Sequence, residues 1–114
     1  QVIKDVAGRD NCVIVGRCAD YVLDDAKNVD LLNVFIYADQ DFRIRRVKET
    51  FNITERQAKD RVIKTDKQRR IYYSYYSNRD WGSMSNYDMC LNTCKLGIKT
   101  AANIIINYVK GLDK

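Results

Sequence analysis

The sequence lacks features that would assign it to several classes of protein. It has no histidine, which removes the usual imidazole ligand of a mixed zinc site. Four cysteines in 114 residues are too sparse for a disulfide-rich scaffold. No run of about 18 uncharged apolar residues is present, which argues against a membrane span, and no signal-peptide pattern opens the sequence. These absences predict a reducing, cytoplasmic compartment, and we interpret the cysteines as small buried apolar side chains rather than a zinc or redox pair.

A phosphate-binding P-loop is also missing from these residues. That loop needs Gly-x-x-x-x-Gly-Lys-Ser/Thr, whose amides and lysine surround the phosphates of a nucleotide. The five glycines are followed by Arg9, Arg17, Ser83, Ile98 and Leu112, so none begins the Gly-Lys ending. What the sequence does have is 46% hydrophobic residues, enough for one packed domain or part of a larger one. Its net charge of +5 favours an anionic partner such as a phosphate, a nucleotide or a nucleic acid.

Apolar runs alternate with helical patterns along the chain, which predicts an α/β fold with parallel strands. "CVIV" and "LLNVFIYA" are continuous apolar runs, as expected of strands that are buried on both faces. Thr54 and Gln57 form the sequence signature of a capping box at the start of a long helix. The three-and-four spacing of one face of that helix is followed by Ala58, Val62, Thr65, Arg69, Tyr72 and Tyr76. On the helix before it, the predicted inward positions are Phe42, Val47 and Phe51. The predicted strands cover residues 12–16, 32–38 and 87–92, and the predicted helices cover 40–51, 54–76 and 97–111.

The stretch "VIVGRCAD" ends a buried strand in glycine and arginine. Ligands of open parallel sheets bind beyond the carboxyl ends of the strands. Gly16 permits close approach of the backbone, and Arg17 can grip a phosphate with a two-pronged hydrogen bond. An equally simple interpretation is a surface arginine at the end of a strand.

A second group of cations falls on the two consecutive helices. Several arginines at one site can compensate the charge of a phosphate chain, which phosphoryl transfer requires more than covalent chemistry. The alternative is a solvated helix with salt bridges, in which Asp66 pairs with Arg69 or Arg70 three and four residues later. The group comprises Arg43, Arg46, Arg61, Lys64, Lys67, Arg69 and Arg70.

Four tyrosines at 72, 73, 75 and 76 occupy both sides of the same helix. We expect some of them to pack in the core or against another chain, and one phenol could reach a phosphate. A surface of tyrosine and arginine could instead stack single-stranded nucleic acid. Because no nucleic-acid-binding fold is recognisable, a nucleic-acid partner is the weaker interpretation.

The chain resembles the cytidylate kinase-like family of P-loop nucleoside monophosphate kinase relatives. The matching pieces are "CVIVGRCADYVL", "VFIYAD" with "FRIRRV", "DKQRRIYYSYYSNRDWG", and "YDMCLNTCKLGI" with the closing helix. The resemblance implies an incomplete three-layer kinase fold, with a short parallel sheet and flanking helices. It also implies ATP-dependent phosphoryl transfer to a nucleoside monophosphate such as CMP, with ATP and Mg²⁺ as cofactors.

The resemblance also implies roles for particular residues. Gly16 and Arg17 would belong to the monophosphate site, and Asn92 and Thr93 would lie near the base of ATP. The two helices would form a mobile lid that closes over the phosphates, and Asp66 would be the lid aspartate that orients an arginine. The lid cations that would bind phosphates during transfer are Arg61 and Arg69, then Arg43 and Arg46, with Lys67 and Arg70 beside them.

Two departures from the family pattern accompany this resemblance. Cytidylate kinases carry aspartate before and after the Gly-Arg pair, where this chain has Val15 and Cys18; Asp20 could substitute at a different spacing. The missing P-loop predicts that residues 1–114 are the carboxyl-terminal part of one such domain and inactive alone. The alternatives are a non-catalytic nucleotide-binding or regulatory domain and, less favoured, a nucleic-acid-binding module.

A final expectation concerns assembly. In the family, the first strand lies between the strands that correspond to residues 12–16 and 32–38, so its absence would leave a slot of roughly 9–10 Å. Either the two strands close up, or another copy of the chain covers the exposed edges. We expect a homo-oligomer in which the tyrosine-rich helix takes part in the contact.

Overall fold

The sheet of this fold is a parallel pair of short strands. The computed structural model describes residues 2–9, 11–16, 18–24 and 30–112. Strand β1 (Val34–Tyr37) pairs with strand β2 (Met89–Asn92), with Val34 opposite Met89 and Tyr37 opposite Asn92. Because the strands are parallel, their carboxyl ends meet at one edge of the sheet. This edge holds Ala38 and Asp39 after β1 and Asn92 and Thr93 at the end of β2.

Helices flank this pair of strands, so the expected fold class, a short parallel sheet with flanking helices, is confirmed. Helix α5 contacts both strands, and α1 contacts α2. No helix in the described ranges is long and apolar enough to cross a bilayer. In chain order the helices are α1 (Val2–Arg9), α2 (Ala19–Val22), α3 (Gln40–Phe51), α4 (Glu55–Ser77), α5 (Thr93–Leu96) and α6 (Ile98–Gly111), with a single 3₁₀ turn at Met84–Asn86.

Helices α3 and α4 form a hairpin with its own small core. Asn52 ends α3 in the left-handed conformation, and Thr54 begins α4 with the complete capping box that the sequence indicates. Ile44 of α3 packs with two buried residues of α4, Ala58 and Val62. Val47 lies against this cluster, but Phe51, which was predicted to face inward, is exposed.

The inward face of α4 differs from the predicted one in its second half. Tyr73 and Ser77 are buried there, whereas Tyr72, Tyr76 and Arg69 are exposed. At about 100° per residue, Tyr73 lies only about 20° from the direction of Val62, while Tyr72 lies about 80° away. The predicted spacing was right at Ala58 and Val62 but then followed Tyr72 and Tyr76 instead of Tyr73 and Ser77.

The predicted strand over residues 12–16 is not formed. Residues 11–15 have no regular structure and no sheet partner among the described residues, and Val13 and Val15 are 93% and 87% exposed. A strand needs a neighbour for its N–H and C=O groups, and β1 is paired only with β2 in the described part. The possibility that this segment closes up against residues 32–38 is therefore excluded for the structure described here.

The surface is much larger than a folded chain of this mass exposes. The accessible area is 9023 Å² for 13.3 kDa, against about 6,500 Å² from the scaling of monomeric proteins. The radius of gyration is 16.0 Å, against about 13 Å for a compact domain of this length. The exposed apolar side chains include Val13, Val15, Ile36, Tyr37 and Tyr75.

We expect the 114-residue chain to self-associate in solution, because roughly 2,500 Å² of excess surface per chain is in the range that permanent dimers bury. Sedimentation velocity should show a dimer or larger species. Replacing Val15 and Ile36 by aspartate should weaken the association, whereas Lys48→Asp on the outer face of α3 should not. A folded monomer at all accessible concentrations would contradict the expectation.

Candidate functional site

The carboxyl edge of the sheet carries a charged pair that joins α3 to α4. Arg43 Nη1 lies 3.0 Å from Asp66 Oδ1 and 2.8 Å from Asp66 Oδ2, and Arg43 Nε donates to the Ala38 carbonyl at 3.1 Å. Both side chains are partly buried, so water screens the pair less than it screens an exposed ion pair. Asp66 therefore orients an arginine, but that arginine is Arg43 on the neighbouring helix rather than Arg69 or Arg70. The geometry places the Arg43 guanidinium beside the end of β1.

Asn92 and Thr93, predicted to lie near the base of ATP, are at the same edge of the sheet. Asn92 Oδ1 accepts a hydrogen bond from the Cys94 amide at 3.0 Å and so caps α5. Thr93 Oγ1 donates to the Tyr37 carbonyl at 3.3 Å. These bonds fix the turn after β2, so any contact with a base would use the remaining backbone and side-chain groups of this turn.

The other predicted phosphate cations lie on the exposed surface of the hairpin. Arg61 stacks over the Phe51 ring, with its guanidinium carbon 4.6 Å from the ring centroid. Within the described part of the chain, no ion pair or hydrogen bond engages the side chains of Arg46, Lys67, Arg69 or Arg70. Unpaired guanidinium groups can turn toward an anion without first breaking a bond within the protein.

Around Gly16 the chain makes a turn with left-handed backbone. Gly16 has φ +72°, and Cys18 has φ +52° and precedes α2. A side chain at position 16 would meet no neighbouring atom within 4 Å, so backbone conformation rather than space favours glycine there. Arg17 lies outside the described residues. The Ala19 amide donates to the Gly16 carbonyl at 3.2 Å, which closes the turn.

Asp20, the third predicted substrate residue, is held by α4. Tyr73 donates its phenol proton to Asp20 Oδ2 at 2.6 Å. Burial and then the bond to Asp20 raise the pKa of Tyr73 well above its ordinary value, so the phenol is neutral and remains a donor at physiological pH. A few residues on, Arg79 Nη2 bonds to Asp24 Oδ2 at 3.0 Å and its guanidinium lies over the Tyr21 ring at 5.1 Å. The sequence argument did not identify Tyr73 or Arg79 as partners of this turn.

The cysteines only partly fit the expectation of buried apolar residues. Cys18 is buried, Cys90 and Cys94 are half-buried, and Cys12 is exposed. Burial raises the pKa of the Cys18 thiol, and the charge of Asp20 raises it further, so this thiol stays protonated and poorly nucleophilic. In the parts of the chain that the structure describes, no three Cys, Asp or Glu side chains come together as a metal site.

Residues 1–95 match the cytidylate kinase-like family. The chain belongs to this family. Among curated proteins it is similar to the cytidylate kinase of Sulfolobus acidocaldarius, at 24% identity over 109 residues, which covers 96% of this chain and 58% of that protein. The cytidylate kinase of Methanocaldococcus jannaschii is 24% identical over 110 residues, covering 96% of this chain and 62% of that protein.

A solved structure has the same backbone arrangement. The crystal structure of an uncharacterized protein from Eubacterium ventriosum superposes with a TM-score of 0.88 at 34% sequence identity. The match covers 96% of this chain and 62% of that one. The chain thus spans about six-tenths of the length of the relatives and of the solved structure that it matches.

Proposed function

We propose that these residues are the carboxyl-terminal part of a nucleotide kinase that transfers a phosphoryl group from ATP to a nucleoside monophosphate of the CMP type. The observation that carries the proposal is the hairpin α3–α4, which holds the Arg43–Asp66 pair at the carboxyl edge of a parallel sheet and leaves further cations beside it unpaired. Membership of the cytidylate kinase-like family supports it. The share of the relatives' length that is covered supports the assignment to part of a longer domain.

In this proposal the hairpin compensates negative charge during transfer. The phosphoryl group passes through a loose transition state whose charge is spread over its oxygens, so positioned cations lower the barrier. Arg61 and Arg69 contact the transferred group, and Asp66 holds Arg43 in place beside it. Arg46, Lys67 and Arg70 add positive potential at the mouth of the site.

In this proposal the monophosphate and the base of ATP bind at two different turns of the chain. Gly16 and Arg17 bind the phosphate of the substrate, and Asp20 lies beside them. Asn92 and Thr93 form the turn next to the base of ATP. The cations fit the phosphates of ATP, but the described residues do not form a cluster of carboxylates suited to Mg²⁺. We therefore assign the binding of Mg²⁺, which would supply further compensation of phosphate charge, to residues outside this chain's described part.

The deciding experiment is a phosphotransfer assay on the complete polypeptide that contains these residues. With ATP and Mg²⁺ it should convert CMP to CDP, and Arg17→Ala should raise KM for CMP more than it lowers kcat, because Arg17 contacts the substrate phosphate before and during transfer. Arg9→Ala, another arginine that follows a glycine, serves as the matched control. Failure to phosphorylate CMP, UMP or AMP would contradict the proposal.

A second candidate function is a nucleotide-binding or regulatory domain without catalysis. The specific observation in its favour is the absence of any Gly-Lys pair in the 114 residues. Calorimetry separates the two candidates. Binding of CMP or ATP by the complete polypeptide without any turnover would favour the regulatory function, whereas turnover excludes it.

A further inference from the structure

The turn that follows Gly16 is seated on the second half of α4. Cys18 and Leu23 on the turn and Tyr73 on α4 are buried, with exposed fractions of 7%, 3% and 6%. One polar bond joins the same elements, from Tyr73 to Asp20 at 2.6 Å, and a second joins Arg79, two residues beyond the end of α4, to Asp24 at 3.0 Å. The bond between Arg79 and Asp24 contributes less to stability, because the Asp24 side chain is 60% exposed and water competes for an exposed ion pair.

The Tyr73–Asp20 bond is the more specific of the two. A hydrogen bond between a neutral phenol and a carboxylate is charge-assisted and stronger than one between neutral groups. The phenol oxygen belongs to a buried side chain, so its position is set by the packing of the ring as well as by the bond. Removing the hydroxyl alone would leave the packed ring in place and free Asp20.

Helix α4 connects this contact to the phosphate cations. It runs without interruption from Glu55 to Ser77, so the distances between its residues are fixed. Asp66 and Tyr73 are seven residues apart, which is about 10 Å along the axis, and they lie within about 20° of one another. Arg69 lies between them on the same side, about 40° from Tyr73. Asp66 is itself tied to Arg43, so the helix is fixed to the rest of the structure at both contacts.

We propose that Tyr73 is a positioning residue: its bond to Asp20 holds the substrate turn at Gly16 in a set register with Arg69 on the same face of α4. This inference rests on the proposed function, since the turn matters for catalysis only if it binds the monophosphate. Tyr73 touches neither nucleotide in this scheme. It acts through Asp20 and the turn, which keeps the acceptor phosphate within reach of the arginine that stabilises its transfer.

Tyr73→Phe in the complete polypeptide tests the proposal. We expect KM for CMP to rise about tenfold and kcat to fall severalfold, because the turn loses its fixed position before the substrate binds and no longer holds the acceptor phosphate in register with Arg69. Tyr72→Phe is the matched control, since Tyr72 precedes Tyr73 and is exposed; it should change neither constant.

Variants of Asp20 test the same bond from its other side. Asp20→Asn retains an acceptor, so its KM for CMP should lie between those of wild type and Asp20→Leu. The double variant Tyr73→Phe with Asp20→Leu should have a KM no higher than that of Asp20→Leu alone.

Amide hydrogen exchange gives a readout that does not depend on activity. The amides of Val22 and Leu23, bonded to the carbonyls of Cys18 and Ala19, should exchange faster in Tyr73→Phe than in wild type or Tyr72→Phe. Unchanged exchange would overturn the proposal, and so would faster exchange with an unchanged KM, which would make the bond purely structural. If exchange rises but wild type transfers no phosphate, the proposed function fails while the fixing of the turn by Tyr73 stands.

Discussion

Residues 1–114, produced without any further sequence, are expected to transfer no phosphate from ATP to CMP. In the proposed scheme the described residues supply cations for phosphates and a turn for the monophosphate. They hold no Gly-x-x-x-x-Gly-Lys-Ser/Thr loop to surround the β- and γ-phosphates. Positioning of the γ-phosphate supplies much of the acceleration in phosphoryl transfer, so its loss should abolish the reaction rather than slow it. Formation of CDP, followed by chromatography over long incubations, is the measurement.

Contaminating kinase from the expression host is the main source of error in that assay. The matched control is the same 114 residues with Arg69→Ala, purified in parallel. Activity that is equal in both preparations comes from the contaminant and leaves the expectation intact. Activity in the parent chain that Arg69→Ala removes would show that these residues alone form a working site.

The second large effect is expected for Arg69→Ala in the complete polypeptide. Arg69 is exposed beside the Asp66–Arg43 pair, and the described residues offer it no partner. In the proposed function its charge therefore acts on the transferred phosphoryl group. Loss of one preorganised electrostatic contact costs about 2–4 kcal/mol in the barrier, which corresponds to a fall in kcat of roughly 30- to 1,000-fold. KM should change little, because the contact tightens mainly in the transition state.

Arg61→Ala should lower kcat in the same way but with a second consequence. Arg61 lies over the Phe51 ring at 4.6 Å, so its removal also uncovers that ring. The exposed stacking is worth about 0.5–1 kcal/mol, and a small fall in Tm should accompany the kinetic loss. Arg56→Ala, an exposed arginine on the same helix, is the control for both variants. Steady-state kinetics in which Arg61→Ala and Arg69→Ala both stay within about twofold of wild type, worth roughly 0.4 kcal/mol, would show that the hairpin is not the lid.

The helical hairpin could be predicted from the sequence because its signals are local. The break at "FNIT", the capping box at Thr54 and Gln57, and the spacing of Ala58 and Val62 all depend on residues within two turns of one another. The helix predicted over 40–51 forms as α3 over Gln40–Phe51, and the one predicted over 54–76 forms as α4 over Glu55–Ser77. Local rules of capping and periodicity decide both.

Features that depend on distant partners could not be read in the same way. "CVIV" has the composition of a buried strand, but a strand exists only where a neighbour pairs with it, and the described residues provide none. Asp66 has arginines three and four residues away, yet it pairs with Arg43, which is 23 positions distant in sequence. Arg43 is held close by the hairpin core, so its Nη1 reaches both carboxylate oxygens of Asp66.

The site residues also divide into those whose placement depends on local sequence and those whose placement depends on distant partners. The sequence argument explained Gly16 by close approach of the backbone, whereas the structure shows a positive φ there and no atom within 4 Å of an added Cβ. That Tyr73 rather than Tyr72 faces the core could have been found by counting turns from Val62, because the difference is about 100° of helix. Its partner Asp20 could not have been found, since nothing local to "GRCAD" indicates which of four neighbouring tyrosines would meet it.

The tie between Arg43 and Asp66 has a consequence for how such sequences can recombine. Helices α3 and α4 are joined by only the three residues 52–54. Each supplies one member of the partly buried pair as well as part of the core of Ile44, Ala58 and Val62. A chimera of two relatives with its crossover in that link would inherit an arginine from one parent and its aspartate from the other. Crossovers just before Gln40 keep the pair within one parent. The hairpin should therefore be inherited as a block, and substitutions at positions 43 and 66 should be accepted only together.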